Sequence, residues 1–289
     1  REVGTPSVAE AAALCAAGPG SELVVEKTKS ARATCAIARA PEPIVEQRGR
    51  AQGALRVVGL GPGGRTTRSP EATSALAEAT DWVGYGLYLD LAQDVRTRQI
   101  EHRFPLGAEE DRVIHALELA GQGKDVALLC SGDAGIYAMA ALALEVLDPA
   151  SGAKLSDAAR RVAVEVVPGI SAFQIAAARA GGFIGHDFCC ISLSDLLTPW
   201  ETIEARVRAA ATSDFVVAFY NPRSLKRTDH LDRAVAILRE RRPADTPVVV
   251  ASNLGRGDEK VRIAPLGDFD TALVDMLTIV LVGSSQSRS

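Results

Sequence analysis

Short runs rich in β-branched residues alternate with longer helical patterns along most of this chain, and that alternation constrains the fold more than any other feature. The runs cover residues 55–60, 125–130, 162–167, 188–193, 215–220, 248–251 and 278–282. Between them lie helical patterns at 109–121, 136–147, 171–180, 200–211 and 229–241. Strands that alternate with helices predict an α/β fold with mainly parallel strands, because a parallel pair needs a crossover connection, usually a helix. The 289 residues suffice for about two such domains. Their 47% hydrophobic content supplies more than one core.

Two stretches divide the chain. Residues 41–54, PEPIVEQRGRAQGA, are rich in Pro, Gly and charge and read as a linker. Pro168-Gly169-Ile170 follows a strand and divides the body into 55–168 and 169–289. Residues 1–40 stand apart. There Ser7-Val8-Ala9-Glu10 forms a capping box that opens a helix, Gly18 closes it, and strand-like runs follow at 22–25 and 34–38. One helix and two strands cannot bury a core alone. This segment is expected to dock on the body, to belong to a larger domain, or to be mobile.

With 32 Lys and Arg against 36 Asp and Glu, the net charge is -4, and the basic surplus that neutralises nucleic-acid backbones is missing. The longest mainly apolar stretch, GIYAMAALALEVL at 135–147, falls short of the ~20 residues of a membrane span, and the charged start REVG lacks a signal-peptide core. A soluble, cytoplasmic protein without nucleic-acid or membrane partners is expected. The five cysteines, at 15, 35, 130, 189 and 190, read as reduced, mostly buried apolar residues, and the four histidines form no local metal motif.

The sharpest local feature is LRVVGLGPGG at 55–64, a strand that runs into four glycines. Gly59, Gly61 and Gly64 satisfy the G-x-G-x-x-G dinucleotide pattern. A dinucleotide site, however, needs a helix that opens inside the glycine turn, so that its N–H groups meet the pyrophosphate. Here Pro62 occupies the turn and the helix signal arrives only at Ser69-Pro70-Glu71. Asp81 has roughly the spacing of the expected ribose-binding acid but precedes the strand-like WVGY. A dinucleotide oxidoreductase and a purely structural turn therefore stand beside a third reading.

That third reading is a family resemblance. G-x-G-P-G after an opening strand resembles the tetrapyrrole methyltransferases, which use S-adenosyl-L-methionine to methylate corrin and sirohaem precursors. Ser131-Gly132-Asp133-Ala134-Gly135-Ile136-Tyr137 resembles the family's G-D-P-x-x-Y loop, and Val167-Pro168-Gly169-Ile170-Ser171-Ala172 its V-P-G-[IV]-[ST]-A turn. ISLSDLLTPW (191–200), FYNPRS (219–224) and DMLTIVLVGSSQSR (275–288) resemble the precorrin-3B C17-methyltransferase branch. The likeness spans about 55–288. Residues 4–39 are similar to the C-terminal part of the cobalt-precorrin-5A hydrolase-like proteins, a family of the same pathway whose activity is not carried over.

The resemblance implies two α/β domains with the cofactor in the cleft between them, a homodimer, and methylation of precorrin-3B at C17 coupled to ring contraction. A cobalt-precorrin-3 substrate and a non-catalytic corrinoid carrier are its alternatives. It places S-adenosylmethionine against Ser131, Gly132, Asp133, Ile136, Ser171 and Ala172, with Tyr220, Asn253 and Leu254 closing over it and Pro62 at the cleft. Asp133 either orients the cofactor or caps the helix that follows. His186 is the candidate for the proton transfers of ring contraction, beside a purely structural role. Gly61, Ser192 and Ser194 are placed on the substrate side, although Ser194 or Asp195 also reads as a helix cap. Arg223, Lys226 and Arg227 are the candidates to grip substrate carboxylates, or else form a solvated loop.

Overall fold

The computed structural model describes residues 7–45, 52–224 and 227–288, and Lys226 lies outside them. They fall into two compact units, one up to residue 45 and one from Gln52 onward. In the first, helix α1 (Val8–Ala17) opens on Ser7, whose hydroxyl accepts the Glu10 N–H, and ends at Gly18 with a φ of 90°. Strands β1 (Glu22–Lys29) and β2 (Thr34–Arg39) pair antiparallel, and Glu10 accepts the Lys27 N–H at 2.9 Å. Only Glu10 and Ala17 are buried among the described residues of this unit, as expected of a piece too small for a core. Cys15 and Cys35 are exposed here, against the expectation of mostly buried cysteines.

The second unit holds two five-stranded sheets. The first contains β3 (Ala54–Gly59), β4 (Asp81–Tyr85), β5 (Ile100–Phe104), β6 (Asp125–Cys130) and β7 (Ala163–Val167), in the order β5-β4-β6-β3-β7. Every pair in it is parallel. Its helices are α2 (Pro70–Glu78), α3 (Gly86–Asp90), α4 (Glu109–Gly121) and α5 (Met139–Leu147). The second sheet comprises β8 (Phe188–Ser192), β9 (Val216–Tyr220), β10 (Pro247–Ser252), β11 (Lys260–Pro265) and β12 (Thr278–Val282), in the order β11-β10-β12-β9-β8. Helices α6 (Ala172–Arg179), α7 (Trp200–Thr212) and α8 (His230–Arg239) accompany it. The α/β class is as expected, but this second sheet is mixed: β8 and β9 are parallel, while β12 pairs antiparallel with β9 and β10, and β11 with β10.

Alternation along each strand divides the core. In β3, Leu55 and Val57 join one apolar cluster with α4 and α5, whereas Val58 joins another with α2 and Trp82. In β9, Val217 and Phe219 face α7 and α8, whereas Val216 and Ala218 face α6. Trp82 is fully buried, and its indole N–H donates to the Leu76 carbonyl at 2.9 Å.

At the start of β4 the carboxylate of Asp81, 1% exposed, accepts from Lys124 Nζ at 2.9 Å and meets His102 Nε2 at 2.8 Å. His102 Nδ1 in turn lies 2.9 Å from His115 Nε2. Burial alone would push Asp81 up, but hydrogen bonds from Lys124, His102 and Thr80 outweigh it and hold the carboxyl below its ordinary value. Burial, then the neighbouring His102 and Lys124, lower His115. Both groups bind protons less readily when folded, so their stabilisation is complete above the unfolded-state values and is lost as pH falls. The urea midpoint is therefore expected to decline from about pH 6.5 downward, and His115→Gln is expected to flatten that decline near its upper end. A midpoint constant between pH 7.5 and 5 would contradict this.

Candidate active site

A cavity of about 570 Å³ opens where the ends of β3, β6 and β7 meet the ends of β9 and β10 and the start of β12. Its size is that of a small-molecule pocket. Both sheets supply its walls.

Backbone packing at its floor explains the glycines. A Cβ at Gly59 would sit 2.7 Å from the Gly132 carbonyl oxygen and 2.7 Å from the Gly169 nitrogen. Gly61, at φ 78°, exchanges both backbone hydrogen bonds with Gly132. Gly63 packs on Leu254 and Gly255, and the Gly64 N–H donates to the Gly255 carbonyl at 2.8 Å. The glycine loop is thus a three-way backbone junction that ties the first sheet to a loop of the second. Only a short 3₁₀ turn follows it, and α2 begins at Pro70 behind the Ser69 cap, so no α-helix N-terminus faces the turn. Asp81 is occupied by Lys124, His102 and Thr80. The dinucleotide reading loses both of its requirements.

After β6 the chain does not enter a helix at residue 136, as the sequence pattern suggests. Residues 131–138 form a loop in which Tyr137 takes a φ of 51°, and α5 begins at Met139. Nor does Asp133 cap that helix. Its Oδ1 accepts the Gly135 N–H at 2.8 Å and its Oδ2 accepts the Gly169 N–H at 3.0 Å, which joins the loops after β6 and β7. Tyr137 donates its hydroxyl to the Cys190 carbonyl at 2.8 Å, and its ring lies 5.1 Å from that of Tyr220. The Tyr220 hydroxyl accepts the Phe173 N–H at 3.4 Å, and burial pushes this phenol up to about 12. Burial likewise raises Tyr137, and pushes the Cys130 thiol up to about 12 and Cys190 to about 11, so these cysteines stay protonated near neutral pH.

All ten residues expected at the cofactor line this cavity: Pro62, Ser131, Gly132, Asp133, Ile136, Ser171, Ala172, Tyr220, Asn253 and Leu254. The expected substrate residues fare differently. Gly61 is spent on its bridge to Gly132. Ser192, Ser194 and Arg227 form a network beside the cavity, in which Asn221 Nδ2 donates to Ser192 Oγ at 3.0 Å and Arg227 donates to the Asn221 carbonyl at 2.8 Å. Arg227 also approaches Ser194 Oγ at 3.5 Å and Asp195 at 3.8 Å. These groups buttress Asn221, which does line the cavity. Arg223 does not line it. Ser194 and Asp195 cap no helix, since α7 starts behind Pro199.

His186 requires a correction. It is exposed and precedes β8, whereas Tyr220 ends and Asn221 follows the parallel neighbour β9. It therefore stands at the opposite end of the sheet, a strand length of roughly 17 Å away. Sequence reasoning also missed Tyr85, Tyr88, Leu87, Leu106 and Arg256, all of which line the cavity. The aromatic spacing in GYGLYL, at the end of β4 and the start of α3, was the available signal for the tyrosines.

The model of the tetrapyrrole (corrin/porphyrin) methylases matches residues 54–270. This chain belongs to that family. The model of the cobalamin synthesis G C-terminus matches residues 1–38. Among relatives of this methylase, the probable cobalt-factor III C(17)-methyltransferase of Salmonella typhimurium is 44% identical over 230 residues, 80% of this chain and 92% of that protein. The precorrin-3B C(17)-methyltransferase of Sinorhizobium sp is 41% identical over 236 residues, 82% and 91% of the respective chains. The solved structure of the methyltransferase CobJ superposes with a TM-score of 0.76 at 40% identity, covering 82% of this methylase and 96% of that chain. A uroporphyrin-III C-methyl transferase from Thermus thermophilus complexed with S-adenyl homocysteine shares the fold at 18% identity, with a TM-score of 0.57 over 80% of this chain and 92% of its own.

Proposed function

We propose that this methylase transfers a methyl group from S-adenosylmethionine to C17 of a corrinoid precursor, with ring contraction, in cobalamin biosynthesis. The observation that carries the reading is the convergence of all ten expected cofactor residues on one cavity. The high identity to C17-methyltransferases supports it. The lining suits an adenosyl-amino-acid ligand. Gly132 sits at φ 68° with open space where a Cβ would be, which leaves room for a ligand against the backbone. The Tyr137 and Tyr220 rings offer an apolar wall.

The sulfonium methyl of the bound cofactor is already a strong electrophile. The protein's task is alignment and exclusion of water rather than nucleophilic attack. Tyr88, Tyr137 and Tyr220, all raised by burial, line the cavity as neutral phenols rather than bases near pH 7; the Tyr137 hydroxyl is already given to Cys190, which leaves Tyr88 and Tyr220 as hydrogen-bond donors. We place the domains with the sheets, at 55–168 and 169–289; in support, the last strand of the first ends at Val167 and the first strand of the second starts at Phe188. Residues 46–51 of the expected 41–54 linker lie outside the described residues, and Ala54 already opens β3. No helix among the described residues is long and apolar enough to cross a membrane; the cytoplasmic location and the homodimer are proposed from the family resemblance alone.

Precorrin-3B is the substrate we favour, with the cobalt-bearing counterpart as the alternative. Incubation with S-adenosylmethionine and each precursor is expected to yield a product one methyl heavier whose macrocycle is contracted, with C20 extruded from the ring but retained in the molecule. The faster substrate identifies the route. Binding of both ligands with no mass change would make the protein a carrier, and NAD(P) binding without S-adenosylmethionine binding would overturn the reading altogether. Tyr137→Phe removes one hydrogen bond that links the two sheets, worth about 1 kcal/mol. S-adenosylhomocysteine affinity is expected to fall about fivefold by calorimetry, and unchanged affinity would show that the tie does not shape the site.

A further inference from the structure

Two charged residues line the cavity among the described residues, Asp133 and Arg256. Asp133 is committed to two backbone amides. Arg256 is not committed. Its guanidinium makes no ion pair or hydrogen bond among the described residues, and its Nε is buried without a partner. Other arginines of the body, such as Arg68, Arg103, Arg179 and Arg208, each have a carboxylate within 4 Å.

The acids nearest to Arg256 in sequence are already spent. Asp258 accepts from Asn253 Nδ2 at 2.7 Å. Glu259 accepts the Gly255 N–H at 2.7 Å and pairs with Arg179 at 2.8 Å. The loop itself is pinned, since the Arg256 N–H donates to the Asn253 carbonyl at 3.0 Å and Gly255 is bonded to the glycine loop. An anchored cation is thus left without a neutralising group. Tyr88, on α3, lines the same cavity, and its hydroxyl makes no hydrogen bond among the described residues.

We propose that Arg256, on a cavity that Tyr88 also lines, anchors one carboxylate arm of the corrinoid substrate. A guanidinium fork matches a carboxylate with two parallel bonds, and a phenol adds a third donor. Arg256 takes the place of Arg223 and Arg227 as the cationic contact, because Arg227 is bound to Asn221 and Asp195 and Arg223 lies off the cavity, while Lys226 lies outside the described residues. The inference rests on the corrinoid reading, and the chemistry shared with the cofactor's own carboxylate defines its rival.

The test uses the full chain and its Arg256→Gln and Arg256→Lys variants, with precorrin-3B and S-adenosylmethionine. Loss of a charged hydrogen-bonding pair is expected to raise the KM for the corrinoid about tenfold or more, with kcat changed less than threefold and Arg256→Lys intermediate. Corrinoid binding without turnover, read from the pigment's visible absorption, is expected to weaken in parallel, while S-adenosylhomocysteine affinity stays unchanged. An unchanged corrinoid KM and binding constant would overturn the assignment. So would a loss confined to S-adenosylhomocysteine affinity, which would hand Arg256 to the cofactor's carboxylate. Wild-type protein is measured first: if it neither binds nor methylates a corrinoid, the functional reading fails and this one with it.

Discussion

Gly169→Ala is expected to lower the melting temperature by roughly 6–12 °C, because the added methyl would need space that three backbone segments already fill. It would press on the Gly132 carbonyl oxygen and sit 2.7 Å from the carbonyl carbon and oxygen of Gly59. Overpacking of this kind costs about 3 kcal/mol or more where the neighbours cannot move, and a body of this size converts that into the stated shift. The neighbours here are backbone, held by the Gly61–Gly132 bridge and the Asp133 carboxylate. Gly132→Ala is the informative contrast. Its methyl meets nothing within 4 Å, so the cost is confined to a residue held at φ 68°, about 1–2 kcal/mol. That methyl projects where the cofactor is proposed to lie, so S-adenosylhomocysteine affinity should fall more than stability does. A Gly169→Ala protein that melts within 2 °C of wild type would mean that the junction opens freely.

How much of this was legible beforehand depended on whether a residue's role was local. Strands such as β6 and β12 are apolar past their first residue because both faces are covered, and that pattern survives in sequence whatever the strand's direction. For the same reason the antiparallel pairing of β10 and β12 was not legible: buried strands read alike in either orientation. The edge strands β5 (IEHRF) and β11 (KVRIAP) carry charges that blunt a sheet edge, and so read as loop. β4 showed only as the strand-like WVGY, interrupted by Gly84. The glycines stood out because close backbone approach leaves one residue type to choose from. Arg256 left no such mark, since its place in the site depends on a loop of the second sheet converging with the first sheet on one cavity. His186 matched a motif by position along the chain, and the parallel pairing of β8 with β9 put it at the wrong end. The approach of His102 to His115, across a strand and a helix, was equally invisible from spacing.

Asp133→Ala is the second large effect expected, and its two readouts separate two ways in which this carboxylate can serve the cofactor. Removing it leaves the N–H groups of Gly135 and Gly169 without their acceptor, at about 1.5–3 kcal/mol for each bond to a charged group. The loop that carries Ser131 and Gly132 would then lose its tie to the turn that carries Ser171. If Asp133 acts by positioning that loop, the ligand-free melting temperature and S-adenosylhomocysteine affinity should fall together, the latter by about a hundredfold. Asp133→Asn, which keeps one acceptor oxygen, should recover part of both. If Asp133 instead touches the cofactor directly, affinity should fall while the ligand-free melting temperature holds. The bond lengths of 2.8 and 3.0 Å to the two amides favour the first outcome, because a carboxylate already shared between two loops stabilises the site before any ligand arrives. Wild-type values for both readouts in Asp133→Ala would remove the residue from the site's working parts.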